Sequence, residues 1–327
     1  MFTRENASEL RNSLPLMQFK GSGPAVAHSD NLLLQQYIKH YGLALSDSEL
    51  AVSHTLGTVV SAPFQLVCQY FSLPAVKQKG SLFLLHGYYD HAGIYGHLIK
   101  QCLQQGFNVV IVDLPGHGLS SGKVGSIDCF GEYRKALLDC LFQARAQGVQ
   151  EPWNLVGQSM GGAVIIDGLL NGDLPADYRF ERFVVLGPLL WPRRWHRNKL
   201  LFLLTRYITN ATRRNFSTNS HDSEFLQFLQ YEDQLQCQYL SSSWIQAMID
   251  YQNRFKHAPQ SNQPLHIIQG TDDGTVDWQY NLPKFQQKFP QSKTYMIAGA
   301  RHHLVNESPE YRNQVFATLE NILSGKP

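Results

Sequence analysis

The chain has 327 residues, 43% hydrophobic and 17% charged, an ordinary globular composition with enough apolar material for one large core and additions to it. Its 28 Lys and Arg nearly balance 26 Asp and Glu, so a net charge of +2 supplies no field that would gather nucleic acid, and any charge-based partner has to be local. The polar start MFTRENASELRNS lacks the apolar run of a secretory signal, no stretch approaches the roughly 20 apolar residues that span a bilayer, and the five cysteines are scattered without C-x-x-C pairing, so a reduced, cytoplasmic setting is expected.

Residues 1–55 are polar and read as an extension decorating a core. They hold one helical pattern, in which Leu33, Leu34, Tyr37, Ile38 and Tyr41 share a face after a cap at Asp30. Two β-rich runs follow, TLGTVVS and FQLVCQYFSLPAV, and the proline between them predicts an antiparallel hairpin that opens a sheet. From Ser81 onward a rhythm of short apolar runs appears: LFLLHG, FNVVIVD, WNLVG, FVVLG, LHIIQG and TYMIAG, each closing on Gly or Asp. Hydrophobicity without alternation means strands covered on both faces, and the stretches between several of them read as helices. The expected fold is therefore a mostly parallel, doubly wound α/β sheet with antiparallel strands at its N-terminal side, built from residues 56–187 and 265–327. In such sheets ligands bind beyond the carboxyl ends of the strands.

One interval breaks the rhythm. From Pro188 to Pro264 the chain spends several times the dozen or so residues that a crossover needs. Its pieces NKLLFLLTRYIT, SEFLQFLQY and SSSWIQAMIDYQNRF look helical, so residues 188–264 are expected to form a helical cap over the strand ends.

Two stretches fit G-x-S-x-G, the pattern of a serine on a sharp turn: GLSSG around Ser120 and GQSMG around Ser159. The turn needs a strand ending just before it and a helix starting just after it. Ser159 follows WNLV and precedes GGAVIIDGLL, whose apolar residues continue at helical spacing, whereas Ser120 sits in the loop DLPGHGLSSGK. That loop also fails as a phosphate-binding P-loop, since the first glycine would fall on His117 and the hydroxyl on Val124. Gly157 and Gly161 leave room where strand and helix cross around the serine.

A serine hydroxyl becomes a nucleophile when a base takes its proton, and that base needs a carboxylate to fix its tautomer. On a fold of this kind the order is Ser, then Asp or Glu, then His. Downstream of Ser159, LHIIQG is followed by TDDGTVD and TYMIAG by ARHHL. The carboxylate candidates are Asp272, Asp273 and Asp277, and the base candidates are His302 and His303. Either loop alone would pass for a solvated turn, but an elbow, an acidic turn and a histidine at strand ends in the right order point to nucleophilic catalysis. The oxyanion of such a reaction needs two backbone N–H donors, for which Met160 and, after the Gly87 turn, Tyr88 are the candidates. His86, Asp90, His91 and His97 lack compact metal-ligand spacing, and the serine chemistry calls for neither metal nor cofactor.

The blocks HGYYDHAGIYGHL, VDLPGHGLSSG, LVGQSMGGA, QGTDDGTVD and GARHHLVNE, in this order, resemble those of α/β-hydrolase serine hydrolases of the monoacylglycerol lipase and bacterial lysophospholipase type, also described as serine aminopeptidase-like. The likeness runs from about Phe64 to the C-terminus, with the cap loosely covered. It implies an α/β-hydrolase fold, assigns the carboxylate to Asp273 and the base to His302, and makes the Ser120 loop structural. Tyr88 and Tyr89 stand where small residues are common in that group, and are expected to narrow an acyl pocket.

The expected substrate is a small acyl ester, a lysophospholipid or monoacylglycerol, with a short-chain ester or a peptide as alternatives. A peptidase would use acidic cap residues, among them Asp222, Glu224, Glu232 and Asp233, to hold a substrate amine. In WPRRWHRNK, Trp191 and Trp195 interleave with Arg193, Arg194, Arg197 and Lys199. This stretch reads as a solvated helix end, or else as a holder of a phosphate head group or a peripheral contact with the anionic inner face of a membrane.

Overall fold

Apolar runs that lack alternation end up in the middle of a sheet because both of their faces find partners. The computed structural model of the chain describes residues 1–19, 30–45, 51–205, 210–214 and 216–325. Eight strands form one sheet: β1 (Ser53–Ser61), β2 (Phe64–Ser72), β3 (Gly80–Leu85), β4 (Phe107–Val112), β5 (Trp153–Gln158), β6 (Phe180–Leu186), β9 (His266–Gly270) and β10 (Lys293–Ile297). Their order across the sheet is β1-β2-β4-β3-β5-β6-β9-β10. β1 and β2 form the antiparallel hairpin, β2 joins β4 antiparallel, and the remaining pairings are parallel.

Every residue of β3, β4 and β5 is buried. Along β3 and β4, Phe83, Leu85, Val110 and Val112 face one apolar layer, while Leu82, Leu84, Val109 and Ile111 face the other. The first layer is built with α4 (Gly131–Ala146) and α5 (Met160–Asn171), the second with α3 (Gly96–Gln104) and α10 (Pro309–Leu323). β10 departs from the expectation of two covered faces: it is the sheet edge, and Met296 is 42% exposed.

The N-terminal extension is more than decoration. Helix α1 (Arg4–Ser13) starts in a reciprocal cap between Thr3 and Asn6, a Thr-x-x-Asn variant of the capping box. Helix α2 (Leu32–His40) is capped by Asn31 rather than Asp30, because the Asn31 side chain accepts from the Leu34 amide. Phe2, Leu10, Tyr37, Ile38 and Tyr41 join the same apolar layer as α3 and α10. Met17 donates its amide to Thr58 and Pro15 accepts from Thr58, which pairs the chain with the exposed edge of β1.

Between β6 and β9 lie α6 (Trp195–Thr205), β7 (Ala211–Arg213), α7 (Ser223–Tyr231), β8 (Tyr239–Ser241) and α8 (Ser242–His257). The antiparallel pair β7–β8 was not foreseen among the helices, and residues 206–209 of the run NKLLFLLTRYIT lie outside the described residues. α8 is as much core as cover. Met248 and Tyr251 are buried, Tyr251 stacks on Phe130 at 4.5 Å, and Arg254 reaches Asp167 of α5 at 3.3 Å.

Because Tyr37 is fully buried, packs edge-on against Phe2 at 5.3 Å and accepts a hydrogen bond from Gln69 of β2, Tyr37→Ala should destabilise the fold by about 3 kcal/mol or more. Tyr37→Phe keeps the packing and should cost about 1–3 kcal/mol for the unpaired Gln69 amide. Denaturant midpoints check both, and wild-type stability in Tyr37→Ala would mean that the extension does not dock.

Candidate active site

The strand ends deliver the candidate residues to one place. Ser159 follows β5 directly and caps α5, with φ 52° and ψ −109°, a conformation that side-chain-bearing residues rarely adopt. It is held there by close crossings. A Cβ on Gly157 would stand 2.5 Å from the Gly161 carbonyl carbon, and a Cβ on Gly161 would stand 2.2 Å from the Leu85 carbonyl oxygen. The Ser159 amide donates to Leu186 of β6 at 2.8 Å, which fastens the turn to the neighbouring strand.

His302 lies in the loop after β10, with Nε2 2.9 Å from Ser159 Oγ and Nδ1 2.7 Å from Asp273 Oδ2. All three side chains are buried. Asp273 follows β9, and its carboxylate accepts from the amides of Thr275 (2.8 Å) and Val276 (3.1 Å) and from Gln269 Nε2 (3.0 Å). The other candidates go elsewhere. Asp272 is on the surface near Arg301, Asp277 caps α9 (Trp278–Lys288), and His303 turns away with Nε2 3.2 Å from Asp90. Burial works against a charged His302, but the adjacent Asp273 carboxylate outweighs it and lifts the imidazole above its ordinary pKa. Burial likewise opposes a charged Asp273, and His302 with the two amides keeps its carboxyl below the usual range.

Ser120, the other serine in a matching pattern, donates to the Asp113 carbonyl and accepts from the Val67 amide at 2.8 Å, so its hydroxyl ties a loop to β2. His86 is spent on Gly87 and Leu114, and His91 on Asp233. Among the described residues no cluster of His, Cys, Asp and Glu is arranged to hold a metal ion.

Above Ser159 lies a cavity of about 180 Å3. Gly87, Tyr88, Tyr89, Gln158, Ser159 and His302 form its floor, and Leu229, Leu240 and Trp244 form an apolar wall that arrives with the β6–β9 insertion. Tyr88 stacks on Trp244 at 3.8 Å and donates its hydroxyl to the Gly125 carbonyl. Among the described residues, the Tyr88 and Met160 amides make no backbone hydrogen bond outside the helices and strands; Tyr88 lines the cavity, and Met160 follows Ser159 at the start of α5 without lining it.

Trp191 and Trp195, expected at the substrate, lie outside this lining. Trp191 stacks on Tyr280 at 3.8 Å, and Trp195 is buried with its Nε1 donating to Gln252. Arg193, Arg194 and Arg197 are exposed. None of Asp222, Glu224, Glu232 and Asp233 lines the cavity either: Asp222 caps α7, Glu224 and Glu232 face solvent, and Asp233 pairs with His91 at 3.1 Å.

Sequence reading passed over three residues that matter here, Gln158, Gln269 and Arg214, and weighed Asp90 only as a metal ligand. Gln158 donates to the His302 carbonyl at 2.9 Å, and Gln269 donates to Asp273. Both are polar side chains at the carboxyl end of a strand buried on both faces, where a glutamine costs free energy unless it is bonded. That signal was legible. Asp90 and Arg214 line the cavity, and no local pattern singles out either.

The sheet order, the strained serine and the site at the strand ends define a hydrolase of the α/β-hydrolase fold. The pattern of the serine aminopeptidase S33 family matches residues 76–309, and the chain belongs to that family of serine hydrolases. A monoglyceride lipase homolog of monkeypox virus is 25% identical over 78% of this chain and 92% of its own length. The human monoglyceride lipase is 27% identical over 79% of this chain and 86% of its own. The crystal structure of a monoacylglycerol lipase from Paleococcus ferrophilus has the same fold, with a TM-score of 0.66 at 23% identity, covering 79% of this chain and 98% of that one.

The raised His302 pKa has a signed consequence. Its coupling to Asp273 stabilises the fold fully at pH below the unfolded imidazole value of about 6.5 and loses that contribution as pH rises through the folded value. The depressed Asp273 pKa adds the other limit: stability is lost as pH falls through its folded value. Proton NMR of the His302 ring should give a midpoint above 6.5, and Asp273→Asn should bring it down because burial is then opposed only by the smaller effect of Asp90. An unchanged midpoint in Asp273→Asn would contradict the coupling.

Proposed function

We propose that this chain is a carboxylic ester hydrolase of single-chain lipids, of the lysophospholipid or monoacylglycerol class, with Ser159 as nucleophile, His302 as general base and acid, and Asp273 as its orienting carboxylate. The observation that supports this reading most is the relay of 2.9 Å and 2.7 Å contacts from Ser159 through His302 to Asp273 beside a partly open cavity. Ser159 attacks the acyl carbonyl while His302 Nε2 takes its proton, and the Tyr88 and Met160 amides receive the developing oxyanion. His302 then protonates the leaving alcohol, and water resolves the acyl-enzyme by the same path. Asp273 holds Nδ1 protonated, so that Nε2 faces the serine as the basic nitrogen.

The substrate class rests on the apolar wall of Leu229, Leu240 and Trp244, on the names of the human and viral relatives, and on residues 188–264 acting as a cap over the strand ends. A short-chain carboxylesterase is the second reading, favoured by the small cavity and by Tyr88 and Tyr89 in its floor. Peptide hydrolysis at a free N-terminus is favoured by the family's description but not by the cavity lining. Among the described residues the one carboxylate lining the cavity, Asp90, already accepts from the Gly87 amide and the Tyr95 hydroxyl.

The cap also exposes apolar and basic side chains in one stretch of chain. Leu200, Leu203 and Leu204 of α6 are exposed, as are Arg193 and Arg194 just before it and Arg197 in its first turn, a combination suited to resting on anionic lipid. No helix among the described residues is long and apolar enough to cross a membrane, so such contact would be peripheral.

Labelling by a fluorophosphonate should disappear in Ser159→Ala, and Asp273→Asn should lower kcat by up to about four orders of magnitude. Near-normal turnover in either variant rejects the assigned roles. On a panel of acyl esters, monoacylglycerols or lysophospholipids should exceed short-chain p-nitrophenyl esters in kcat/KM, and the reverse order would select the esterase reading. Replacing Arg193, Arg194 and Arg197 together by Gln should weaken cosedimentation with anionic vesicles while leaving neutral vesicles unaffected, and equal binding by both proteins would dismiss the membrane contact.

A further inference from the structure

Arg214 brings the cation to the wall above Ser159 that the β6–β9 insertion supplies. It follows β7, its backbone amide donates to the Gln238 carbonyl, and its side chain lines the cavity. The guanidinium lies over the Tyr89 ring, 4.0 Å from the centroid, and Nη1 donates to Gln236 Oε1 at 3.0 Å. Gln236 is itself held by the N-terminal helix, where Arg4 donates to the Leu235 and Gln236 carbonyls at 2.8 and 2.6 Å. Arg214 is thus a braced side chain on an aromatic platform.

What it lacks is a counter-charge. Among the described residues no carboxylate lies within ion-pair distance of it. The two acids nearest in effect are committed: Asp90 to the Gly87 amide and the Tyr95 hydroxyl, with His303 3.2 Å away, and Asp233 to His91, Tyr41 and the Leu235 amide. Arg214 is half-buried, and burial pulls its pKa below its ordinary value against the smaller opposing effects of Tyr89, Asp90, Cys237 and Asp233. Withdrawing a guanidinium from water toward an apolar wall costs free energy that a bound anion would return. Two more polar groups lie on the same segment. Ser217 and Asn219 line the cavity, and the Asn219 side-chain oxygen is buried without a partner. Leu229, Leu240 and Trp244 make the rest of the insertion's share of the wall apolar.

We propose that Arg214, with Ser217 and Asn219, forms a subsite for a phosphate on the alcohol part of the substrate, so that the preferred substrate is a single-chain ester with an anionic phosphate-bearing head group. This rests on the ester-hydrolase reading above and narrows it. The forked guanidinium donates to two phosphate oxygens, the Ser217 hydroxyl donates to a third or to an ester oxygen, and the Asn219 oxygen accepts from a free hydroxyl of the glycerol. A neutral monoacylglycerol would leave the Arg214 charge unmatched.

The experiment compares kcat/KM for 1-acyl-glycerol-3-phosphate and for the monoacylglycerol with the same acyl chain, in the wild type, Arg214→Gln and Arg214→Lys. Wild type should favour the phosphate-bearing ester, and Arg214→Gln should reduce that preference by roughly 10- to 100-fold, the range for loss of a charge-assisted hydrogen bond. Arg214→Lys should recover part of it, since the charge returns without the fork. Inorganic phosphate should compete with the wild type more strongly than with Arg214→Gln if the subsite reads phosphate alone, and only the intact ester should discriminate if the glycerol is read as well. A ratio that stays the same in Arg214→Gln, or a wild type that prefers the neutral ester, overturns the proposal. A wild type that labels at Ser159 with a fluorophosphonate yet cleaves neither ester overturns the ester reading itself, which separates the two failures.

Discussion

The site depends on how closely α5 can approach β5 and β3. Gly161 rides against the Leu85 carbonyl with no space for a side chain, and Gly157 crosses Gly161 in the same way. Only with both positions empty of side chains can the chain reverse within one residue, and that residue, Ser159, accepts a left-handed backbone as the consequence. The strain is small beside the burial that surrounds it. All of β5 and nearly all of α5 are enclosed by neighbours, so the turn has no way to relax without unpacking the centre of the sheet.

From that fixed point the remaining groups are positioned by strands rather than by one another. β9 ends one strand away from β6, and its Asp273 is pinned by two amides and Gln269 before it meets His302. His302 arrives from the loop after the edge strand β10, where the Gln158 side chain holds its carbonyl. Two glutamines at the ends of buried strands thus connect the sheet to the catalytic candidates, and each is tolerated in an apolar setting because its amide is bonded.

The N-terminal extension reaches the same cavity by a longer route. Its aromatic residues complete the apolar layer beside α3 and α10, and its polar groups grip the insertion: Tyr41 bonds Asp233, and Arg4 bonds the carbonyls that flank Gln236. The segment that carries Arg214 is therefore braced from outside the sheet. A buried His91–Asp233 pair at 3.1 Å closes this arrangement, joining the loop after β3 to the insertion. Breaking one partner of such a pair leaves an uncompensated charge, so extension, core and insertion are coupled through it.

Local chemistry was enough to read much of this from the letters. LFLLHG and FNVVIVD announce strands covered on both faces, since a half-exposed strand would alternate, and GQSMG between a strand and a helical run marks a strained serine, since a strand and helix crossing that closely leave no room for side chains at its two glycines. What the residues' own chemistry could not decide, apart from the family resemblance, was anything that depends on which distant segments meet. Asp272 and Asp273 are neighbours of one chemistry, and only the direction each takes after β9 sends one to the surface and the other to His302. Trp191 and Trp195 look like ligand contacts in a basic run, yet they are spent on Tyr280 and Gln252, while Arg214, inconspicuous in its own stretch, faces the cavity. Periodicity reports which side of an element is buried. It carries no information about the partner across a gap of a hundred residues, and that partner is chosen only when the whole chain packs.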